Sequence, residues 1–248
     1  MTFSSKFIGP IVALISCITL LVTAYYFLRD NEVGRVNQLK AKAEHEYYLR
    51  EFLSAYKTYQ ALMDTTDDYG EGAMINYANA AFMSSNILKG GLGSRDQGPS
   101  LSDTILNQMA GEGQVMYSVL TNAKNKKIAS MAFNQLGYVT VKGAPAPTEE
   151  VNSDSVFLIA LQHFRNALKR NPNNDSARYN YELLKKVVDY PETVMNETRS
   201  LVAQQRYIEA ANLLERSMER DIRLAKQKEY LQRIKSVAGI DTTYRRRL

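Results

Sequence analysis

Two histidines, one cysteine and a group of aspartates are the residues of this 248-residue chain best suited to bind a metal or attack a substrate. None has the neighbours that such chemistry needs. His45 and His163 lie on predicted helices among polar or charged residues, with no Cys, His or carboxylate at ligand spacing on the same face. Glu46 is adjacent to His45 and therefore points elsewhere, so both histidines read as exposed helix residues. Cys17 sits inside an uncharged apolar run. Asp64, Asp67 and Asp68 lack the spacing and the closing bidentate Glu of a calcium loop, and read as a polar turn. Gly90-Gly-Leu-Gly93-Ser follows a predicted helix and has no Lys-Ser/Thr ending, so it does not read as a phosphate loop. No Gly-x-Ser-x-Gly elbow occurs. No catalytic residue, metal ligand or cofactor is expected.

The remaining candidates can recognise a partner but cannot react with it. Ile75-Asn76, Phe133-Asn134 and Tyr179-Asn180 place an apolar-Asn pair at one register of three predicted helices. Each asparagine follows the last small or apolar position of the preceding helix (Leu62, Leu120, Ala167) by thirteen or fourteen residues. Tyr77, Tyr138 and Tyr181 lie beside them. An amide offers both donors and acceptors, so Asn76, Asn134 and Asn180 could hold a peptide backbone or a terminal carboxylate, or could bond the neighbouring helix. The tyrosines have the same two readings, groove lining or packing. Arg178 and Lys185 do not fall where a carboxylate clamp would need paired cations.

Helices of regular spacing must position these residues. Asn31 to Leu49 and Phe52 to Met63 form the first expected pair, with Ala43, Ala55, Tyr59 and Leu62 as contact positions. A second unit pairs the helix around Ala73 to Phe82 with one from Gln114 to Lys124, and a third pairs that around Phe133 with Asp154 to Lys169. Insertions near 89–111 and 143–153, rich in Gly or Pro, separate the helices within these two units. Pro191 is expected to break the chain, followed by helices at Glu192 to Gln205 and Tyr207 to Arg220. Asp221 to Val237 reads as an amphipathic closing helix. Ten or eleven helices after the N-terminal run, and no sheet, are expected.

Ala160-x3-Phe164-x2-Ala167-x4-Pro172 is the most specific segment. Small residues allow two helices to approach, an aromatic fills the space between them, and proline stops the chain from continuing as helix. It resembles the tetratricopeptide repeat (TPR), a helix-turn-helix unit of about 34 residues. Over residues 35 to 221 the resemblance implies an all-α solenoid of helical hairpins, with repeat packing by Ala55, Tyr59, Ala160, Phe164, Ala167, Pro172 and Ala210. It also implies partner binding by Asn76, Tyr77, Asn134, Tyr138, Asn180 and Tyr181.

More narrowly, the stretch from Ala167 to Lys185 resembles the repeat of TPR proteins in bacterial aerotolerance (Bat) operons. There such proteins are encoded beside von Willebrand factor A (VWA) domain membrane proteins and a MoxR-type ATPase. The resemblance implies a membrane scaffold in the assembly of a cell-envelope complex, with VWA-domain and MoxR-type partners. The alternative is a structural subunit permanently buried in a membrane complex.

Phe7 to Leu28 carries no charge and ends on Tyr25, Tyr26, Phe27 and Leu28. At about 1.5 Å per residue it is long enough for the roughly 30 Å bilayer core, and is expected to be a single transmembrane helix. Val22-Thr-Ala24 as a signal-peptide cleavage site, and Leu14-Ile-Ser-Cys17 as a lipobox, are weaker readings of the segment. The domain plan is therefore tail and anchor at 1–29, solenoid at 30–221, and a closing helix with basic tail at 222–248. Placement in a bacterial inner membrane with the soluble part extracytoplasmic is expected from the family resemblance, although Arg29, Arg35, Lys40 and Lys42 after the span argue for the cytosol. The net charge is +5, and Arg245-Arg246-Arg247 supplies much of it, which argues against a dedicated nucleic-acid surface.

Overall fold

The computed structural model describes residues 8–89, 102–145 and 154–245; for 8–13, 28–30, 88–89 and 240–245 it describes the backbone alone. Among the described residues the chain is helical, with no strand. The helices are α1 (Ile8–Tyr48), α2 (Phe52–Thr65), α3 (Gly70–Lys89), α4 (Asp103–Leu120), α5 (Lys126–Lys142), α6 (Asp154–Arg170), α7 (Asp175–Ala203), α8 (Tyr207–Arg220) and α9 (Lys228–Arg245). A short 3₁₀ helix, Ile222–Gln227, precedes α9. The chain divides into two compact units, Met1–Met116 and Tyr117–Leu248. In each, successive helices pack as hairpins.

The first unit is built on the second half of α1. Val36, Leu39, Ala43 and Tyr47 face Ala55, Tyr56, Tyr59 and Leu62 of α2, and Ala73, Tyr77, Ala80 and Ala81 of α3 join the same core. Helices α3 and α4 approach closely at Gly113, where a Cβ would lie 2.9 Å from the Ala78 carbonyl oxygen. The Ser85 hydroxyl donates across the same pair to the Leu106 carbonyl at 2.7 Å.

In the second unit α5, α6 and α7 enclose Ala160, Phe164 and Leu184, and α7 to α9 enclose Val194, Met195, Ala210, Leu214, Leu224 and Ile234. Full burial of a side chain such as Phe164 is worth about 1.5–3 kcal/mol. Ser130 of α5 fixes the α6–α7 turn. Its hydroxyl donates to the Ala167 carbonyl at 2.8 Å and accepts from Asn174 Nδ2 at 2.8 Å. Asn174 in turn caps α7, accepting from the Ala177 N–H at 3.0 Å.

Two turns in different units use one device. Arg50 (φ 63°) and Gln205 (φ 61°) are non-glycine residues in the left-handed region. The following amide closes on the carbonyl five residues back in both: Glu51 N–H on Glu46 and Arg206 N–H on Leu201, each at 2.9 Å. The contact alanines Ala55 and Ala210 then stand five residues after each of these caps and are fully buried.

Several expectations need correction. The helix expected at Asn31 is the second part of α1, which starts well before it and continues through Asp30, Asn31 and Gly34 although these are capping or breaking residue types. Helix α4 begins at Asp103 rather than Gln114, so the insertion expected at 89–111 contains its first two turns. Residues 90–101 of that insertion and 146–153 of the next lie outside the described residues. Pro191 does not end a helix: it lies inside α7. The expected closing helix is divided into the 3₁₀ segment and α9. Among the described residues no helix is long and apolar enough to cross a membrane. The expected span at 7–28 starts outside those residues, and its side chains are described from Leu14 to Phe27.

Candidate interaction surfaces

Asn134 and Asn180, 46 residues apart in sequence, meet in space: Asn180 Nδ2 donates to Asn134 Oδ1 at 2.9 Å, from α7 to α5. Helical geometry explains the meeting. Ser130 and Gly137 turn one side of α5 toward α6, and Asn134 lies at the edge of that side next to α7. Asn134 is buried and Asn180 half-buried, so this pair is a polar link between two helices.

Exposed apolar residues flank the link: Met131 and Tyr138 on α5, and Tyr179, Leu183 and Val187 on α7. The spacings 179, 183 and 187 place the last three on one helix face. Tyr181 turns the other way and packs against the Phe164 core, with Arg165 Nη2 donating to its hydroxyl at 3.3 Å. Arg178 pairs with Asp175 and donates to the Pro172 carbonyl, and Lys185 pairs with Asp189. Both cations therefore have partners within α7 or its entry turn. Pro172 itself is exposed in that turn.

The corresponding residues of the first unit are arranged differently. Tyr77 is buried, stacks on Tyr56 with ring centroids 5.3 Å apart, and donates to Glu112 Oε2 at 2.8 Å. Tyr56 donates to the same oxygen at 2.7 Å, and Gln108 Nε2 donates to Oε1 at 3.0 Å. Burial pushes the Tyr56 phenol up to about 12, with Glu112 adding to the shift. Burial would raise the Glu112 carboxyl, but the three donated hydrogen bonds outweigh it and hold its pKa below the ordinary value. Asn76 is half-buried and bears on the Tyr59 phenol, which burial pushes up to about 12. Among the described residues that hydroxyl makes no hydrogen bond of good geometry.

Glu112→Gln is expected to cost about 1–2 kcal/mol at pH 7 by weakening charge-assisted hydrogen bonds. Because the folded-state pKa is lowered, this stability is present above the unfolded carboxylate pKa and is lost as pH falls through the folded value. Urea midpoints of both proteins should therefore converge as the pH falls below the ordinary carboxylate pKa. A gap that does not change with pH would assign the loss to shape alone.

The residues expected to pack the repeat are placed as follows. Ala55, Tyr59, Ala160, Ala167 and Ala210 are fully buried, and Phe164 is nearly so. Among the described residues no cluster of His, Cys, Asp or Glu could hold a metal ion. His45 is exposed, but His163 is half-buried, which corrects its expected exposure. It packs near the Phe133 ring with centroids 6.3 Å apart, and burial lowers its pKa.

Gly137 and Arg223, like Glu112, escaped the sequence reading. Gly137 lies directly under Phe164, where a Cβ would fall 2.5 Å from the ring. Its signal was Leu136-Gly137, placed three residues after Phe133. Arg223 is nearly buried and joins three segments of the second unit: its guanidinium pairs with Asp221 at 2.6 Å and Asp154 at 2.8 Å, and donates to the Val187 carbonyl at 2.6 Å. No local pattern announces a contact between residues 69 positions apart. The chain matches no protein-family model, no curated protein and no solved structure.

Proposed function

We infer that this protein is a membrane-anchored helical-repeat adaptor of TPR type that docks protein partners on the α5–α7 face of its second unit. The fit of α5, α6 and α7 carries the reading. Phe164 seats on Gly137, Ala160 and Ala167 mark the close approach, and the Asn134–Asn180 bond ties two alternate helices. Phe133-x2-Leu136-Gly137, Ala160-x3-Phe164 and Pro172 follow the order of the TPR pattern, with Phe in place of Trp. Thr140 stands where that pattern has Tyr. The matched turns at Arg50 and Gln205 support a repeat as well.

Met131, Tyr138, Leu183 and Val187 offer the apolar area that a docked peptide needs, and the asparagine pair offers polar atoms beside it. The anchor rests on the uncharged sequence of residues 7–28. Exposed apolar side chains there lie all round the helix, Leu14, Ile18 and Tyr25 on one side and Leu20 and Phe27 on another. A helix lying on a membrane surface would have a polar face instead. The Bat-type resemblance supplies the partner class: VWA-domain membrane proteins and a MoxR-type ATPase in a cell-envelope complex, with the soluble part extracytoplasmic.

Purification of the full-length protein from membranes in mild detergent, with identification of co-purifying proteins, tests this reading. VWA-domain or MoxR-type partners are expected, and Met131→Glu with Leu183→Glu should reduce their recovery about tenfold or more with helix content and melting unchanged. Undiminished recovery by a folded double variant would remove the α5–α7 face from the assignment. Recovery of unrelated envelope proteins alone would retire the Bat-type role.

A further inference from the structure

The charge of this chain is unevenly divided. The first unit has 9 Lys and Arg against 12 Asp and Glu, and the second has 22 against 14, so their net charges are −3 and +8. In the second unit part of the excess collects at one end of the α5–α6 hairpin. Lys126 and Lys127 open α5, and Lys169 and Arg170 close α6. The bond from Ser130 to the Ala167 carbonyl, one turn inward on each helix, sets these two ends side by side. All four side chains are exposed, and none takes part in an ion pair among the described residues.

Folding of the hairpin does not account for this placement. Lys169 and Arg170 suit the negative end of the α6 dipole, but Lys126 and Lys127 stand in the first turn of α5, where the dipole disfavours cations and no acidic residue offsets them. Four like charges at one edge also repel one another. Such an edge is relieved when an anionic surface covers it.

The first unit carries a surface of matching chemistry. Asp64, at the end of α2, and Asp67 and Asp68, in the turn to α3, are exposed and likewise outside any ion pair among the described residues. No Lys or Arg occurs between Lys57 and Lys89 to neutralise them. The net charges of the two units, opposite in sign, favour a second copy of this chain as the anionic surface over any other.

We propose that the basic edge formed by Lys126, Lys127, Lys169 and Arg170 docks a second copy of this chain through its Asp64–Asp68 turn, giving head-to-tail self-association. The two surfaces differ, so the contact is heterologous and leaves one free surface of each kind for the next copy. The inference does not depend on the partner-docking face or on the membrane anchor.

The test is sedimentation velocity of the full-length protein in mild detergent at about 20 µM, in low salt and in about 0.5 M salt. Species larger than the monomer are expected at low salt and should dissociate at high salt, where the Debye length is only about 4 Å. Reversing the basic edge (K126E, K127E, K169E, R170E) or the acidic turn (D64K, D67K, D68K) should weaken association at least about tenfold. A mixture of the two variants, each carrying one intact and one reversed surface, has two possible contacts: basic edge to acidic turn, and the two reversed surfaces to each other. Hetero-association in that mixture, stronger than in either variant alone, is the expected result. A wild-type monomer at low salt would overturn the proposal. So would assembly that survives each reversal made singly, which would place self-association on the apolar N-terminal helix, and so would acid–base pairing confined to one chain, which would leave the wild type monomeric. If the reversed edge leaves assembly unchanged but abolishes sedimentation with vesicles of one-third phosphatidylglycerol, the basic edge belongs to anionic lipid and the proposal fails.

Discussion

Arg223→Met is expected to lower the stability of the second unit by about 2–4 kcal/mol, measured by urea or thermal unfolding. The guanidinium is the shared donor of three acceptors, Asp221, Asp154 and the Val187 carbonyl. Asp221 and Arg223 are each only 12% exposed at the side chain, so removing the cation leaves a nearly buried carboxylate behind. The pairing holds Arg223 well above its ordinary pKa, with Asp221 the main cause, and the hydrogen bonds to Arg223 outweigh burial to hold Asp221 below its own. The third acceptor has a different origin. Pro191 has no N–H, so the carbonyl of Val187, four residues earlier, loses its partner inside α7. Arg223 Nη2 supplies the missing donor at 2.6 Å.

That origin gives a sharper test than the single substitution. Pro191→Ala restores an N–H opposite the Val187 carbonyl, so in the Arg223→Met background it should recover about 1 kcal/mol. A double-mutant cycle reads this as coupling between residues 191 and 223. Additive losses would show that the guanidinium acts through the carboxylates alone.

Gly137→Ala should also destabilise the protein, by about 1–3 kcal/mol, although alanine is the better helix former by about 1 kcal/mol. The new Cβ would fall 2.5 Å from Cε1, 2.7 Å from Cδ1 and 2.9 Å from Cζ of Phe164. That ring is nearly fully buried among Leu161, Tyr181, Leu184 and Val188 and has little room to withdraw. Overpacking therefore outweighs helix propensity, and the sign of the change is the informative result. Phe164→Leu, which shortens the side chain facing Gly137, should make the double variant less destabilised than the sum of the two single changes. A Gly137→Ala protein more stable than the parent would mean that Phe164 does not rest on α5.

The sequence by itself determined the helical character of the chain and many of its buried positions. Alanines at 55, 160, 167 and 210 and the aromatics Tyr59 and Phe164 recur at helical spacing, and periodicity is a local property that a single strand of sequence contains. It also showed Asn134 and Asn180 as equivalent, but their mutual hydrogen bond needed the packing of α5 on α7. Only tertiary structure decided where α7 runs. Pro191 carries a strong local signal to stop, and the helix passes through it because Arg223, distant in sequence, satisfies the carbonyl that proline leaves bare. The same holds for Glu112, whose tyrosine donors come from two other helices, and for Gly137, whose missing side chain matters only because an aromatic ring occupies its space. Spacing along one helix fixes which residues share a face; which groups complete one another across helices depends on distances that the chain acquires only when it folds.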